Sequence, residues 1–148
     1  MLRAEELLAR DLRFKGKYSF QYAKNVVIED SYLDTKDAFW HAKNVTVKNS
    51  VVKGEYLAWY SEGLTLIGCK IIGTQPLCYC KDLRLIDCEM IDTDLSFERS
   101  EVEATLTSPI DSIKNPYKGS IRVPAIGELI LDDEAAKCEI LLTQESKF

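Results

Sequence analysis

The sequence predicts an all-β protein, a single-stranded right-handed parallel β-helix in which each coil takes about nineteen residues. Three observations predict it: turn-forming residues that recur with this period, apolar–polar alternation between the turns, and apolar rows that repeat from coil to coil. A coil of this size cannot enclose a core alone. Its apolar rows must therefore be covered by stacking coils about 4.8 Å apart.

Two turn positions recur along the chain. Asn, Gly and Asp tolerate a left-handed backbone better than other residues, so they mark places where the chain changes direction. The first position is occupied by Asn25, Asn44, Gly63, Asp82 and Glu101. The second is occupied by Asp30, Asn49, Gly68 and Asp87. Because Glu is poorly suited to such a turn, the repeat is expected to decay toward the C-terminus.

The segments between the turns have the alternation of half-buried strands. The inward rows of the first strand are Val26, Val45, Leu64, Leu83 and Val102, and Ile28, Val47, Leu66, Leu85 and Ala104. The outward row between them is Val27, Thr46, Thr65, Arg84 and Glu103. The inward rows of a second strand are Ser31, Ser50, Cys69 and Cys88, and Leu33, Val52, Ile71 and Met90. An aromatic-rich segment before the first turn predicts a third short strand in each coil.

One domain is expected over 1–148, with regular coils over about 7–106 and degenerate coils or a cap over 107–148. Leu7, Ala9, Leu12 and Phe14 keep the nineteen-residue register, which predicts a further coil at the N-terminus, although this segment could also form a helical cap. An open coil exposes unpaired backbone groups and apolar side chains. The sequence therefore predicts a homo-oligomer, a dimer joined through an end of the solenoid.

Composition restricts the partners and the chemistry. The net charge of −5 and the lack of a dense Lys/Arg run disfavour nucleic acid. No apolar stretch approaches the ~18 residues of a membrane span, and the N-terminus lacks an apolar signal region, so we expect no membrane partner and a cytoplasmic location. The five cysteines are odd in number and lack zinc-site spacing, which predicts reduced, buried thiols without metal or cofactor.

The candidate ligand-binding residues form one outward row, Tyr22, His41, Tyr60 and Tyr79. They form a ladder of rings on one face if the neighbouring row, Gln21, Trp40, Trp59, Cys78 and Phe97, points inward. Flat rings on a long face suit carbohydrate, whereas stacked rings can equally serve only to pack coil against coil. The reverse assignment, with the tryptophans outside, also fits the pattern.

The only acids that cluster on one coil are Asp92, Asp94 and Glu98, the weak candidates for a polysaccharide lyase or glycoside hydrolase. As solvated turn residues they need no function. The single histidine, His41, has no nucleophile motif such as G-x-S-x-G nearby, so no catalytic residue is assigned. Two hypotheses follow: a non-catalytic scaffold or binding module, with carbohydrate as a possible ligand, and alternatively an enzyme acting on polysaccharide.

The stretches GKYSFQYAKNV, SYLDTKDAFWHAKNVTVKNSVVKGEYLAWYSE and GTQPLCYCK resemble the C-terminal half of a bacterial family of unknown function. The resemblance covers roughly Leu7 to Asp132 and includes an aromatic-x-x-x-Asn-hydrophobic beat. It implies a pectin-lyase-like right-handed β-helix with further coils before this segment. Because the family has no assigned activity, the resemblance implies no catalytic residues.

Overall fold

The structure is a computed structural model that describes residues 8–17, 22–36, 38–132 and 137–143. It is a β-solenoid whose strands pair in parallel with the strands of the next coil. No helix occurs in the described part of the chain, so none there is long and apolar enough to cross a membrane. The predicted all-β class and the nineteen-residue period are confirmed.

Over the residues that the structure describes, the first side of the solenoid is a ladder of eight parallel strands. They are β1 (Leu8–Arg10), β3 (Lys24–Glu29), β5 (Lys43–Lys48), β7 (Glu62–Ile67), β9 (Leu83–Ile91), β10 (Glu101–Leu106), β12 (Lys118–Val123) and β14 (Glu139–Leu142). Val45 stands opposite Val26 on one side and Leu64 on the other, as the period predicts. Both inward rows are buried in every coil from β3 to β10, so the predicted strand register is confirmed.

The second side consists of β2 (Arg13–Lys17), β4 (Tyr32–Lys36), β6 (Val51–Lys53), β8 (Lys70–Ile72) and the C-terminal half of β9. Ser31 and Ser50 are buried beneath it, and each hydroxyl donates to a backbone carbonyl two residues earlier. The Ser50 hydroxyl also accepts from the backbone N–H of Ser31, which couples the two coils. Cys69 and Cys88 continue this row, also buried. Small side chains fit here because the row lies just inside a tight corner.

Both corners have the predicted left-handed backbone. Asn25, Asn44 and Asp82 have φ of 53°, 52° and 49°, and Gly63 has 65°. The second corner also has positive φ values, at Asp30, Asn49, Gly68 and Asp87. The side chain of Asn44 donates to that of Asn25 at 2.6 Å, so the corner also forms a hydrogen bond between coils. Glu101 does not adopt this backbone, because the first corner of its coil lacks one residue: Ser100 aligns with Cys80, while Val102 pairs with Leu83.

The prediction of a third strand in each coil is wrong for the third side of the solenoid. Over 38–41 and 57–60 this side is a succession of turns, in which alternate residues have positive φ. Phe39 and His41 have φ of 61° and 55°. An aromatic-rich segment favours strand by propensity, but the backbone here must bend around a narrow core. Among the described residues, strands on this side occur in the later coils alone, as β11 (Ile110–Lys114) and β13 (Ile126–Ile130).

Both ends of the described chain add coils to the solenoid. Ala9 pairs with Ile28 and Phe14 with Leu33, so the N-terminal segment is a coil over the described residues. Ala9 and Leu12 are partly buried against the core. Leu7 and the side chain of Phe14 lie outside what the structure describes. The coil after β10 is shorter, since Glu101 stands opposite Lys118, seventeen residues on, and the next returns to nineteen, with Ser120 opposite Glu139.

Candidate functional site

The aromatic row lies on the third side, between two buried rows. Phe39, Ala58, Leu77 and Phe97 form one buried row, and Ala23, Ala42, Ser61, Cys80 and Ser100 form the other. In the coils of Trp40 and Trp59 two consecutive residues therefore reach outward, such as Trp40 and His41, whereas Cys78 at the same position is fully buried. A strand would have sent one of the two inward, but the alternating φ of a turn does not follow that rule. This is why Trp40 and Trp59, expected inside, are only half-buried.

The four candidate residues form a continuous ladder of stacked rings. The ring centroids of Tyr22 and His41 are 5.3 Å apart, with 4° between the ring planes. His41 and Tyr60 are separated by 5.1 Å with 11° between planes, and Tyr60 and Tyr79 by 5.1 Å with 12°. Stacked pairs of this kind contribute about 0.5–1.5 kcal/mol each beyond the area they bury. The ladder therefore stabilises the stacking of coils.

The same geometry decides what the ladder offers to a ligand. Each inner ring is covered on both faces by its neighbours, so the ring edges point to solvent. Tyr22 and Tyr60 are 39% and 44% exposed, and His41 and Tyr79 are half-buried. A ligand on this side meets a column of phenol and imidazole edges, spaced by the rise of one coil. That surface suits hydrogen bonding along the solenoid axis and leaves no open face within the ladder.

The two tryptophans stand edge-on to the ladder. The Trp40 ring lies 4.4 Å from His41 at 81°, and the Trp59 ring lies 5.3 Å from Tyr79 at 70°. The indole N–H of Trp59 donates to the carbonyl of Gln75 at 2.7 Å, which ties the ring to the next coil. Since the ladder rings face along the solenoid axis, the indole planes run roughly parallel to it. We define the aromatic wall as Tyr22, Trp40, His41, Trp59, Tyr60 and Tyr79.

The ladder ends at Tyr79, and the residues that follow it are shifted because one residue is inserted between Ile91 and Leu95. The Ser100 N–H donates to the Phe97 carbonyl, as the Ser61 N–H does to Ala58, so Phe97 occupies the buried row and Arg99 follows Tyr79. Phe97 was expected one row away, in the row of Cys78. The repeated spacing of an apolar residue three before a small one, as in Phe97 and Ser100, is the signal that could have revealed the shift.

Charged side chains surround this end of the wall. Burial and the neighbouring Glu98 carboxylate raise the pKa of the Tyr79 phenol, while Arg99 acts in the opposite direction. The Glu98 carboxylate lies 3.8 Å from the Lys114 ammonium in the following coil. A phenol with a raised pKa is a hydrogen-bond donor at neutral pH, so Tyr79 is poorly suited to act as a catalytic base.

The three acidic candidates have separate surroundings. Asp92 is exposed in a turn with φ of 52°, and the carboxylate of Asp94 accepts from the Thr74 hydroxyl. Glu98 pairs with Lys114. Within 8–17, 22–36, 38–132 and 137–143, no three His, Cys, Asp or Glu side chains gather as metal ligands would. The structure therefore adds no catalytic residue to the enzymatic alternative, which stays a hypothesis.

The thiols next to the wall belong to the core. Cys78 and Cys80 are fully buried, and burial raises the pKa of Cys78 to about 12 and that of Cys80 to about 11. The Ser61 hydroxyl donates to the Cys80 sulfur at 3.3 Å. Thiols with such high pKa values are poor nucleophiles at neutral pH. All five cysteines are free in the structure.

The aromatic wall is an open surface. A groove of about 420 Å³ lies on the outside of the first side, between Asp82, Arg84, Glu103 and Lys118. No residue of the aromatic wall lines it. The groove and the aromatic wall are therefore separate features of the solenoid surface.

Parallel coils, two left-handed corners and a stacked aromatic wall define this protein as a β-solenoid. The chain belongs to the family described as "Protein of unknown function (DUF3737)", whose family model matches residues 1–142. No curated protein and no solved structure matches the sequence.

Proposed function

We propose that the protein is a non-catalytic binding solenoid of the pectin-lyase-like kind, and that the aromatic wall binds a linear carbohydrate along the solenoid axis. The observation that carries the proposal is the unbroken column of ring edges from Tyr22 to Tyr79. A sugar chain presents hydroxyls at regular intervals, which phenol and imidazole edges can bind by hydrogen bonds. The half-buried indoles of Trp40 and Trp59 add apolar surface beside this column.

The wall is also preorganised, which lowers the cost of binding. Each inner ring is held between two others, and Trp59 is fixed by its hydrogen bond to Gln75. Side chains that are already ordered lose little conformational entropy when a ligand binds. The protein would therefore bind an extended chain without rearranging its own surface.

The test is titration with a panel of neutral and acidic polysaccharides, followed by tryptophan fluorescence and calorimetry. Tyr60→Phe removes one hydroxyl and keeps the ring stack, and we expect it to weaken binding by about two- to tenfold. Tyr32→Phe is the matched control, because Tyr32 is an exposed tyrosine on the second side of the solenoid. It should bind like the unmodified protein.

Three results would contradict the proposal. Absence of binding to every polysaccharide in the panel would remove the carbohydrate ligand. Equal loss in Tyr60→Phe and Tyr32→Phe would show that the aromatic wall is not the binding surface. Growth of ultraviolet absorbance from unsaturated sugar products would support the lyase alternative, with Asp92, Asp94 and Glu98 as the first residues to replace.

A further inference from the structure

Beside the ladder runs a second outward row, which we call the lysine row: Lys24, Lys43, Glu62 and Lys81. Each member comes two residues after a ladder ring, and the residue between them points into the core. Both rows therefore lie on the outside, next to each other along the solenoid axis. All four side chains of the lysine row are exposed.

The lysine row is electrostatically unbalanced on an otherwise acidic protein. Lys24 stands directly opposite Lys43 in neighbouring strands, and like charges in such positions repel. None of the three lysines forms an ion pair with a described residue. Of the nearby acids, Asp82 lies 3.5 Å from Arg84 and Glu98 lies 3.8 Å from Lys114, while Glu62 stands opposite both Lys43 and Lys81 within the row.

We propose that the aromatic wall and the lysine row together bind an anionic polysaccharide, such as a chain of uronic acids. This inference rests on the proposed carbohydrate function and names the class of its ligand. The carboxylates of such a chain would neutralise Lys24, Lys43 and Lys81, while its hydroxyls bind the ring edges. Glu62 interrupts the row and repels the ligand at that coil.

Single-stranded nucleic acid is the other anionic polymer that binds to basic surfaces with aromatic rings. It binds by stacking its bases on open ring faces. In this ladder the faces of His41 and Tyr60 are already covered, at centroid distances of 5.1–5.3 Å and interplanar angles of 4–12°. A sugar chain needs only the edges, so the geometry favours the polysaccharide.

The experiment compares a mannuronate oligosaccharide with its carboxyl-reduced, neutral counterpart by calorimetry at low salt. Lys43→Glu should weaken mannuronate binding by about two- to fivefold or more, and Glu62→Lys should strengthen it by a similar factor. The matched controls are Lys70→Glu and Glu89→Lys, which make the same changes in net charge on the second side of the solenoid. Both controls should leave the affinity unchanged.

The outcomes separate the two proposals. Tighter binding of mannuronate, with opposite effects of the two variants in the lysine row, supports the inference. Equal binding of the acidic and the neutral oligosaccharide overturns it and leaves the carbohydrate function standing. No binding of either overturns this inference, and absence of binding to every polysaccharide in the panel overturns both proposals. Tighter binding of a deoxythymidine oligonucleotide of equal charge also overturns it, in favour of a nucleic-acid surface.

Discussion

Replacement of Val47 by Asp tests the strand register at its most constrained point. Val47 is fully buried in β5, opposite Ile28 in β3 and one residue away from the outward Thr46. The substitution loses about 1.5–3 kcal/mol from burying the valine side chain. A carboxyl group with no partner must also be protonated to stay buried. At pH 7, three units above its ordinary pKa, protonation costs about 4 kcal/mol.

The total loss is therefore about 5.5–7 kcal/mol, which is comparable with the whole stability of a typical domain of about 5–15 kcal/mol. Thr46→Asp places the same carboxylate on the outer face and should change the stability by less than about 0.5 kcal/mol. Urea denaturation followed by circular dichroism measures both. Equal losses in the two variants would refute the inward assignment of this row.

The pH dependence provides a second, independent readout. In the folded Val47→Asp protein the pKa of the new carboxyl is raised, so its penalty is complete above that raised value. The penalty disappears as the pH falls below the unfolded value of about 4. Val47→Asn has the same shape without the charge, so it should lose stability at every pH. The two variants should converge near pH 4, and a constant difference between them would contradict the mechanism.

Three further predictions test the interior and the close contacts between coils. Because burial raises the pKa of Cys78 to about 12 and that of Cys80 to about 11, these thiols stay neutral in the folded state while unfolded thiols ionise above about pH 8.5. Stability should fall as the pH rises through this range, and an aromatic disulfide reagent should reach both thiols only after unfolding. Ser50→Ala removes the hydroxyl that bonds the Ser31 N–H and the Lys48 carbonyl, and should lower the stability by about 1–3 kcal/mol in thermal melting. Ser50→Cys should be tolerated, because cysteine occupies this position in the next two coils. Gly119→Ala would place a Cβ 1.9 Å from the Val102 carbonyl oxygen, at a φ of 107°. We expect the free energy of unfolding to fall by at least about 2 kcal/mol, and a stable variant would contradict this close approach.

Much of the fold follows from the sequence because its repeat is encoded locally. Asn, Gly and Asp adopt left-handed corners more easily than other residues, so Asn25 and Gly68 mark corners without reference to the rest of the chain. Val45 and Val47 alternate with polar residues and must share one face of a strand. The nineteen-residue spacing then aligns each coil with the next. The row of candidate ligand-binding rings was predictable for the same reason.

Only the tertiary structure decided the form of the third side and of the aromatic wall. Trp40 and His41 both reach outward because the backbone there alternates in the sign of φ, which strand periodicity does not anticipate. Arg99 follows Tyr79 because of an insertion that the hydrogen bonds between coils locate. Whether the rings offer faces or edges depends on the direction in which they stack, and that direction is set by the distance between coils. Sequence therefore determined which residues line this side, and packing determined what they present to a ligand.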